Sequence, residues 1–246
     1  MKYNWPENKK FAFTIVDDTD SSTVANVKSI YDFLYQKGLL TTKSVWVYPS
    51  RDKFTGESLS DSNYLQFILE LQGKGFEICS HNVGSGVFSR QEILEGMSML
   101  RNLLGDYPTM HINHASNPDN IYWGNERFQP LLKSLLHLVY GKKRKYNGSS
   151  SESTCFWGDL CKTNIKYIRN RTFSGINTLK YDPKMPYREK PKDLYSNYWF
   201  SSSDGHTVEE FSDLLSKHNI DKLEAEGGAC IVYTHFASGF VENGKI

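Results

Sequence analysis

Cysteine is scarce in this sequence, long apolar runs are absent and neither sign of charge dominates. The four cysteines in 246 residues show no Cys-x-x-Cys spacing, which argues against a zinc finger or a disulfide framework and favours reduced, buried thiols. No stretch approaches the ~20 apolar residues of a membrane span, and the amino terminus lacks the apolar core of a signal peptide. We therefore expect a cytoplasmic protein without a membrane span.

The charge balance favours neither nucleic acid nor an anionic membrane as the partner. The formal net charge is +1, so no global electrostatic attraction draws the chain to a polyanion. One basic cluster, Lys142–Lys145, is predicted to be a solvated loop, although it could meet the phosphate of a sugar nucleotide.

Short apolar runs alternate with helical patterns along the whole chain. Runs typical of buried strands lie near 11–17, 43–48, 76–80, 109–113, 165–169, 197–202 and 229–234. Helical spacing is clear over 22–37, 60–73 and 89–104, and a last helix begins at Thr207. About seven βα units predict an α/β fold of parallel strands closed into a barrel, in a single domain spanning 1–246.

Polar residues mark where several helices begin. The first helix is predicted to have a serine cap, with Gly38 at its end. Ser89 and Glu92 have the spacing of a capping box before the third helix, and Thr207 stands three residues before Glu210.

Two adjacent aspartates, Asp17 and Asp18, end the first predicted strand. Burying either carboxylate without a partner is expensive, so such a pair usually shares a cation, a metal or a proton. Alternation along the strand points them in different directions, so one could bind a metal while the other acts as a base. The alternative is that they only end the strand, with Asp20 or Ser21 capping the next helix.

Histidines follow several of the other predicted strands. Because a barrel keeps its chemistry at the carboxyl ends of its strands, four histidines there favour a functional site over isolated structural roles. These residues are His81, His114, His206 and His235.

Aromatic and amide side chains near the same strand ends suit a sugar. Flat rings match the apolar faces of pyranoses, and Trp123 and Trp199 are the predicted stacking residues, although aromatic rings there can also only seal a barrel. Asn113 and His206 are predicted to contact the substrate as well.

Three segments resemble known motifs of one enzyme family. Thr14–Asp18 resembles the Thr-Phe-Asp-Asp motif of the polysaccharide deacetylases (carbohydrate esterase family 4, NodB homology), and Phe76–His81 resembles their Glu-Ile-Gly-Ser-His motif. Ile231–His235 is similar to the strand that carries their late histidine. The order and spacing agree over nearly the whole chain.

The resemblance implies a distorted (β/α)7 barrel that binds a divalent metal and hydrolyses an N- or O-acetyl group on a sugar. Zinc is the metal that the resemblance favours. Asp17 would be the general base, with Asp18 and His81 as metal ligands. His235 would be the general acid, and Asp204 would orient it.

The sequence departs from the family pattern at three places. Ser85 stands where the family has its second metal-binding histidine, and Asn113–Pro118 replaces the Arg-x-Pro stretch that braces the base. Either His114 or another side chain completes the metal shell, or the metal is weakly held or absent. The chain also stops at Ile246, where the family normally has another helix and strand, so a truncated or unusual carboxyl terminus is expected.

Val16–Asp20 is similar to an intracellular branch of the family associated with lipopolysaccharide O-antigen biosynthesis (WbmS-like). That similarity implies an acetylated sugar or oligosaccharide precursor as the substrate. Two alternatives stay open. One is a catalytically silent glycan-binding barrel, and the other is a metal-free glycosidase that pairs Asp17 or Asp18 with Asp204.

Overall fold

The computed structural model describes residues 3–128, 146–242 and 245–246. The predicted basic loop Lys142–Lys145 lies outside these residues. Across the described residues, no helix combines the length and the apolar character that crossing a bilayer requires.

Seven parallel strands form a closed barrel in which each strand pairs with the next along the chain and the last pairs with the first. The strands are β1 (Ala12–Asp17), β2 (Thr42–Val45), β3 (Glu77–Ser80), β4 (Met110–His111), β5 (Tyr167–Phe173), β6 (Tyr198–Asp204) and β7 (Ala229–Thr234). The barrel is distorted, since β4 has two residues and the β5–β6 register shifts between Arg169 and Thr172. This confirms the predicted (β/α)7 barrel.

Helices fill the connections between the strands. The described helices are α1 (Val24–Gln36), α2 (Ser62–Gly73), α3 (Arg90–Leu104), α4 (Gly158–Asn164), α5 (Thr178–Tyr181), α6 (Val208–Leu214) and α7 (Lys217–Glu226). The capping boxes predicted at Ser89 and Thr207 are both present.

The cap of α1 differs from the prediction. Thr23 caps this helix and forms a capping box with Asn26. Ser22 is not the cap, because its hydroxyl accepts a hydrogen bond from Lys43 Nζ at 2.9 Å. Asp20 and Ser21 do not cap the helix either, which leaves the Asp20 carboxylate free for another role.

Side chains on the strands alternate between the barrel interior and the helix layer, as the strand period of two requires. Val16, Cys79 and Ile112 form a small cluster of their own inside the barrel. Ile15 belongs instead to the large cluster that includes Tyr31 of α1 and the other helices. The residues that follow these strands inherit the alternation, so Asp18, His81 and His114 point into the barrel mouth and Asp17 points toward α1.

All four cysteines are free thiols and are buried, as predicted.

Candidate active site

A cavity of about 370 Å³ lies at the carboxyl ends of the strands, where a barrel of this kind keeps its chemistry. Five acidic and basic side chains from four strand ends and one turn form its floor. They are Asp18, Asp20, His81, His114 and His235.

Asp20 is the centre of this floor. Its Oδ1 lies 2.8 Å from His114 Nε2, and its Oδ2 lies 3.2 Å from both His81 Nε2 and His235 Nε2. One carboxylate therefore faces three imidazoles that arrive from the ends of β3, β4 and β7.

A tight turn positions Asp20. The Ser22 N–H donates to the Thr19 carbonyl at 2.9 Å, and the Thr19 hydroxyl is hydrogen-bonded to Tyr64 at 2.9 Å. Ser21 adopts a φ of 58°, in the left-handed region that side chains other than glycine rarely occupy. Such backbone strain is common at functional sites.

Two of the histidines are fixed through Nδ1, which leaves Nε2 to face Asp20. His81 Nδ1 lies 3.0 Å from the Ile112 carbonyl, which can only accept, so this nitrogen carries the proton. His114 Nδ1 lies 3.1 Å from Asn117 Oδ1, an oxygen that also accepts from the Gly86 N–H. Fixing a histidine through its far nitrogen is typical of metal ligands.

Aromatic rings hold these two imidazoles in place. Trp46 is fully buried and lies nearly parallel to the His81 ring, with the ring centroids 6.4 Å apart. Phe54 lies nearly perpendicular to the His114 ring, with the ring centroids 4.6 Å apart.

Asp18 is paired with an arginine that the sequence interpretation missed. Arg169 Nη1 of β5 donates to Asp18 Oδ1 at 2.8 Å, and Nη2 donates to the other oxygen, so the pair is bidentate. Both side chains are almost fully buried and both line the cavity. Asp18 Oδ2 also lies 3.8 Å from His81 Nε2.

Asp17 does not belong to this floor. It is fully buried on the helix side of β1, where Oδ2 accepts hydrogen bonds from Lys43 Nζ and the Tyr31 hydroxyl, both at 2.8 Å. Its Oδ1 accepts the backbone N–H of Phe236 at 2.8 Å. The prediction of Asp17 as the general base is therefore wrong in its geometry, because strand alternation turns this carboxylate away from the cavity.

His235 contacts Asp20 through Nε2. Its Nδ1 is buried and has no hydrogen-bond partner among the described residues. The prediction that Asp204 orients this ring is contradicted, because Asp204 lines a separate groove with Glu210 and Asp213. In the described part of the chain no hydrogen bond joins Asp204 to His235, and the carboxylate pair needed for the glycosidase alternative is not assembled in one cavity.

The four predicted substrate residues have different positions. Trp123, Asn113 and His206 line the cavity. His206 Nδ1 is hydrogen-bonded to the Tyr233 hydroxyl at 3.0 Å, whereas the Asn113 amide is engaged by the backbone of Ile121.

The prediction that Trp199 stacks on a sugar is wrong. It is fully buried among the residues between strands and helices, so it offers no face to a sugar. It lies beside Ile168 in the helix-side cluster, which is the outer side of the barrel wall.

Ser85 takes no part in the site. Its hydroxyl donates to Asp52 Oδ1 at 2.8 Å, and it is absent from the described lining of the cavity. His114, from the next strand, supplies the second imidazole instead. Of the alternatives left open by the sequence, the structure therefore brings together the one in which His114 joins His81.

The electrostatics of the floor follow from this arrangement. Burial opposes the charged form of Asp20, but hydrogen bonds from His114, His235 and His81 outweigh it and hold its pKa well below the ordinary value. Burial likewise opposes ionisation of Asp18, and Arg169 with His81 reverses the effect, which lowers the pKa of Asp18. Both carboxylates are therefore charged at neutral pH.

The same contacts favour protonated imidazoles. Burial opposes the protonation of His114, yet the hydrogen bond and the charge of Asp20 raise its pKa. Burial also opposes the protonation of His235, and Asp20 together with Asp18 raises its pKa.

Sequence interpretation did not place three charged residues in the cavity: Asp20, Arg127 and Arg169. Arg169 had a usable signal, because an arginine within a predicted buried strand needs a carboxylate partner. Asp20 lies in a stretch of small polar residues that is typical of a helix start, and only the folded chain brings the histidines to it.

Comparisons with known proteins support the fold. No family model matches the sequence, and no curated protein matches it. Among solved structures, PuuE allantoinase shares 14% identity at a TM-score of 0.54, over 96% of this chain and 80% of that chain. A "probable polysaccharide deacetylase" from Pseudomonas aeruginosa PAO1 shares 13% identity at a TM-score of 0.54, over 96% and 81%. At these identities the likeness establishes that the chain has the barrel fold seen in polysaccharide deacetylases and in this allantoinase.

Proposed function

We propose that this protein is a metal-dependent hydrolase that removes an N- or O-acetyl group from a sugar. The observation that carries the proposal is the convergence of three imidazole nitrogens on the Asp20 carboxylate in the cavity of a deacetylase-type barrel.

The donor set fits a divalent metal. One ring nitrogen of His81, one of His114 and one Asp20 oxygen lie within 4.8 Å of one another. Since both histidines are fixed through Nδ1, their Nε2 atoms and the Asp20 carboxylate face one another. Both nitrogens, once deprotonated, and the carboxylate would hold a divalent cation, and two histidines with one carboxylate are a common ligand set for zinc. A metal held there would supply Lewis-acid polarisation of the acyl carbonyl and the attacking water.

The chain's own residues have distinct roles in this proposal. Asp18, rather than Asp17, accepts a proton from the water that attacks the acyl carbon, and Arg169 fixes both of its oxygens in position. His235 donates the proton on Nε2 to the leaving nitrogen or oxygen as the bond to the acyl carbon breaks. The products are acetate and the free amine or hydroxyl of the sugar.

The proposed substrate follows from the cavity and the motifs. A cavity of about 370 Å³ is in the range of small-molecule sites, and the Trp123 ring on its wall suits a sugar face. The resemblance to the O-antigen branch favours an acetylated sugar of a surface-polysaccharide precursor.

Elemental analysis of the purified protein is the decisive experiment. We expect near-stoichiometric zinc or another transition metal in the wild type, and its loss in both Asp20→Asn and His114→Ala. Ser85→Ala is the matched control and should keep the metal, because it removes a hydroxyl that donates to Asp52 outside the cavity lining. Acetate release from N-acetylated sugars should follow the metal content.

Three results would contradict the proposal. Retention of metal in His114→Ala would show that the site has other ligands. Metal binding without acetate release from any acetylated sugar would favour the glycan-binding barrel. A protein that takes up no metal after incubation with zinc, cobalt or nickel would refute the metal-dependent reaction.

A further inference from the structure

One wall of the cavity carries a positive charge that the proposed reaction does not use. Arg127 lies on the segment between β4 and β5 and lines the cavity together with Trp123, Asn170 and Thr172. Arg169 is on the same wall, but its charge is already matched by Asp18.

Arg127 has no anionic partner in the described part of the chain. No described carboxylate lies within 4.0 Å of its guanidinium nitrogens, and its buried Nε has no hydrogen-bond acceptor among the described residues. The segment 129–145 that follows contains neither aspartate nor glutamate, so its side chains cannot supply a carboxylate.

Neighbouring groups hold Arg127 in place without neutralising it. Lys192 Nζ donates to the Arg127 carbonyl at 3.1 Å, and Arg171 Nη2 donates to the same oxygen at 3.5 Å. The guanidinium also lies over the Trp123 ring. Cations therefore surround the backbone of Arg127, while its own charge faces the cavity.

The charge is costly where it stands. Burial, with repulsion from Arg169 and Arg171, lowers the pKa of Arg127 to about 9. The group is still protonated at neutral pH, and an anion in the cavity would remove most of this cost. A guanidinium is well shaped for this task, since it binds carboxylate or phosphate oxygens in pairs.

We propose that Arg127 forms an anion-binding subsite, so that the substrate carries a carboxylate or a phosphate on this wall while its acyl group lies at Asp20 and the histidines. This inference rests on the proposed function and specifies its substrate class. Asn170 Oδ1 is a buried acceptor without a partner among the described residues, and it lines the same wall, where a sugar hydroxyl can donate to it.

The anion has two chemical sources, which different probes separate. A sugar acid presents a carboxylate on the ring, whereas an activated sugar presents a phosphate at its anomeric carbon. Suitable probes are N-acetylglucosamine as the neutral reference, N-acetylglucosaminuronic acid and N-acetylglucosamine 1-phosphate.

Isothermal titration calorimetry on wild type, Arg127→Gln, Arg127→Lys and Arg188→Gln tests the subsite. One charged probe should bind wild type about 10- to 100-fold more tightly than the neutral probe, as expected for a charge-assisted contact. Arg127→Gln should abolish the difference and Arg127→Lys should keep part of it. Arg188→Gln should keep all of it, because Arg188 is exposed and stacks on Tyr198. Thermal melting checks that each variant is folded, and the lysine variant serves if the glutamine variant is not.

The outcomes separate this inference from the proposed function. If wild type binds the neutral and charged probes equally, or binds no charged probe, the subsite is refuted. The hydrolase proposal then stands or falls on acetate release from the neutral sugar. If Arg127→Gln keeps the preference for the charged probe, the subsite is refuted as well. If the preference depends on Arg127 but no acetate is released, the subsite stands and the hydrolase proposal fails.

Discussion

The buried ion pair between Lys43 and Asp17 provides the sharpest test of the site assignment. Both side chains are fully buried, and Lys43 donates to Asp17 Oδ2 at 2.8 Å and to Ser22 Oγ at 2.9 Å. Burial opposes the charged form of Lys43, yet Asp17 outweighs it and raises the pKa of the amine. The amine is therefore charged, and we infer that the role of the pair is to anchor β1 to β2 and to Phe236.

Removing one partner should destabilise the fold strongly. Lys43→Met leaves the Asp17 carboxylate buried, with only the Tyr31 hydroxyl and the Phe236 N–H as donors. An uncompensated buried charge of this kind costs about 3–5 kcal/mol. The double variant Asp17→Asn/Lys43→Met removes both charges and keeps the shape of the site, so we expect it to lose only about 1–2 kcal/mol.

Urea unfolding at pH 7 measures these free energies. Lys217→Met is the matched control, because its pair with Asp221 is 88% and 59% exposed and should be worth under about 1 kcal/mol. A Lys43→Met variant no less stable than the control would refute the ion-pair reasoning. So would a double variant that is less stable than Lys43→Met alone.

Two single variants, Asp17→Asn and Asp18→Asn, decide which aspartate is the base. Asp17→Asn should lower stability while folded protein still releases acetate. Asp18→Asn should lower acetate release about 100-fold or more, as loss of a general base does. The reverse pattern would restore Asp17 as the base and remove Asp18 from that role.

Three further predictions concern other parts of the molecule. Burial raises the pKa of Asp119 to about 6 although Asn82 donates to it, so the native state binds more protons than the unfolded chain between about pH 4 and 6. Stability should therefore fall by about 3 kcal/mol as pH rises through that window, and Asp119→Asn should abolish the fall in urea midpoints measured from pH 4 to 7. Ser89→Ala should cost about 1 kcal/mol in the same assay, since it removes the cap of α3. Stripping metal with a chelator should lower the melting temperature of the wild type but not of His114→Ala, because only a bound metal adds stability.

The strands could be predicted from the sequence because each buries an apolar run. All seven predicted runs overlap an observed strand, and the largest disagreements are at the ends, such as β2, which stops at Val45. The capping boxes at Ser89 and Thr207 were accessible for the same reason, since they are local and depend on a spacing of three residues.

The orientation of Asp17 and Asp18 was accessible only in part. Strand alternation predicts that the two carboxylates point in opposite directions, and they do. It does not say which direction faces the cavity, because the apolar residues before them, Ile15 and Val16, are equally compatible with either side of the wall. The partner that decides the matter, Lys43, lies 26 residues away on another strand.

The role of Asp20 could not be predicted from the sequence, for a different reason. Its turn obeys no helical or strand period, and its carboxylate has a ready local explanation as a helix cap. Its actual partners come from positions 61, 94 and 215 residues away in the chain, so the contact exists only after the barrel closes.

Two charged groups of the cavity, Asp20 and Arg127, can each bind a ligand of opposite charge. Together they favour one kind of substrate. Asp18 and Arg169 neutralise each other, so neither needs a ligand. Asp20 and the imidazoles beside it could hold a cation in place of the imidazole protons, whereas Arg127 has no described carboxylate beside it. A neutral sugar would leave Arg127 without an anion even with a metal at Asp20. A metal together with an anionic acyl sugar would give both groups a partner. We therefore expect the charged probe and the metal to stabilise the protein independently.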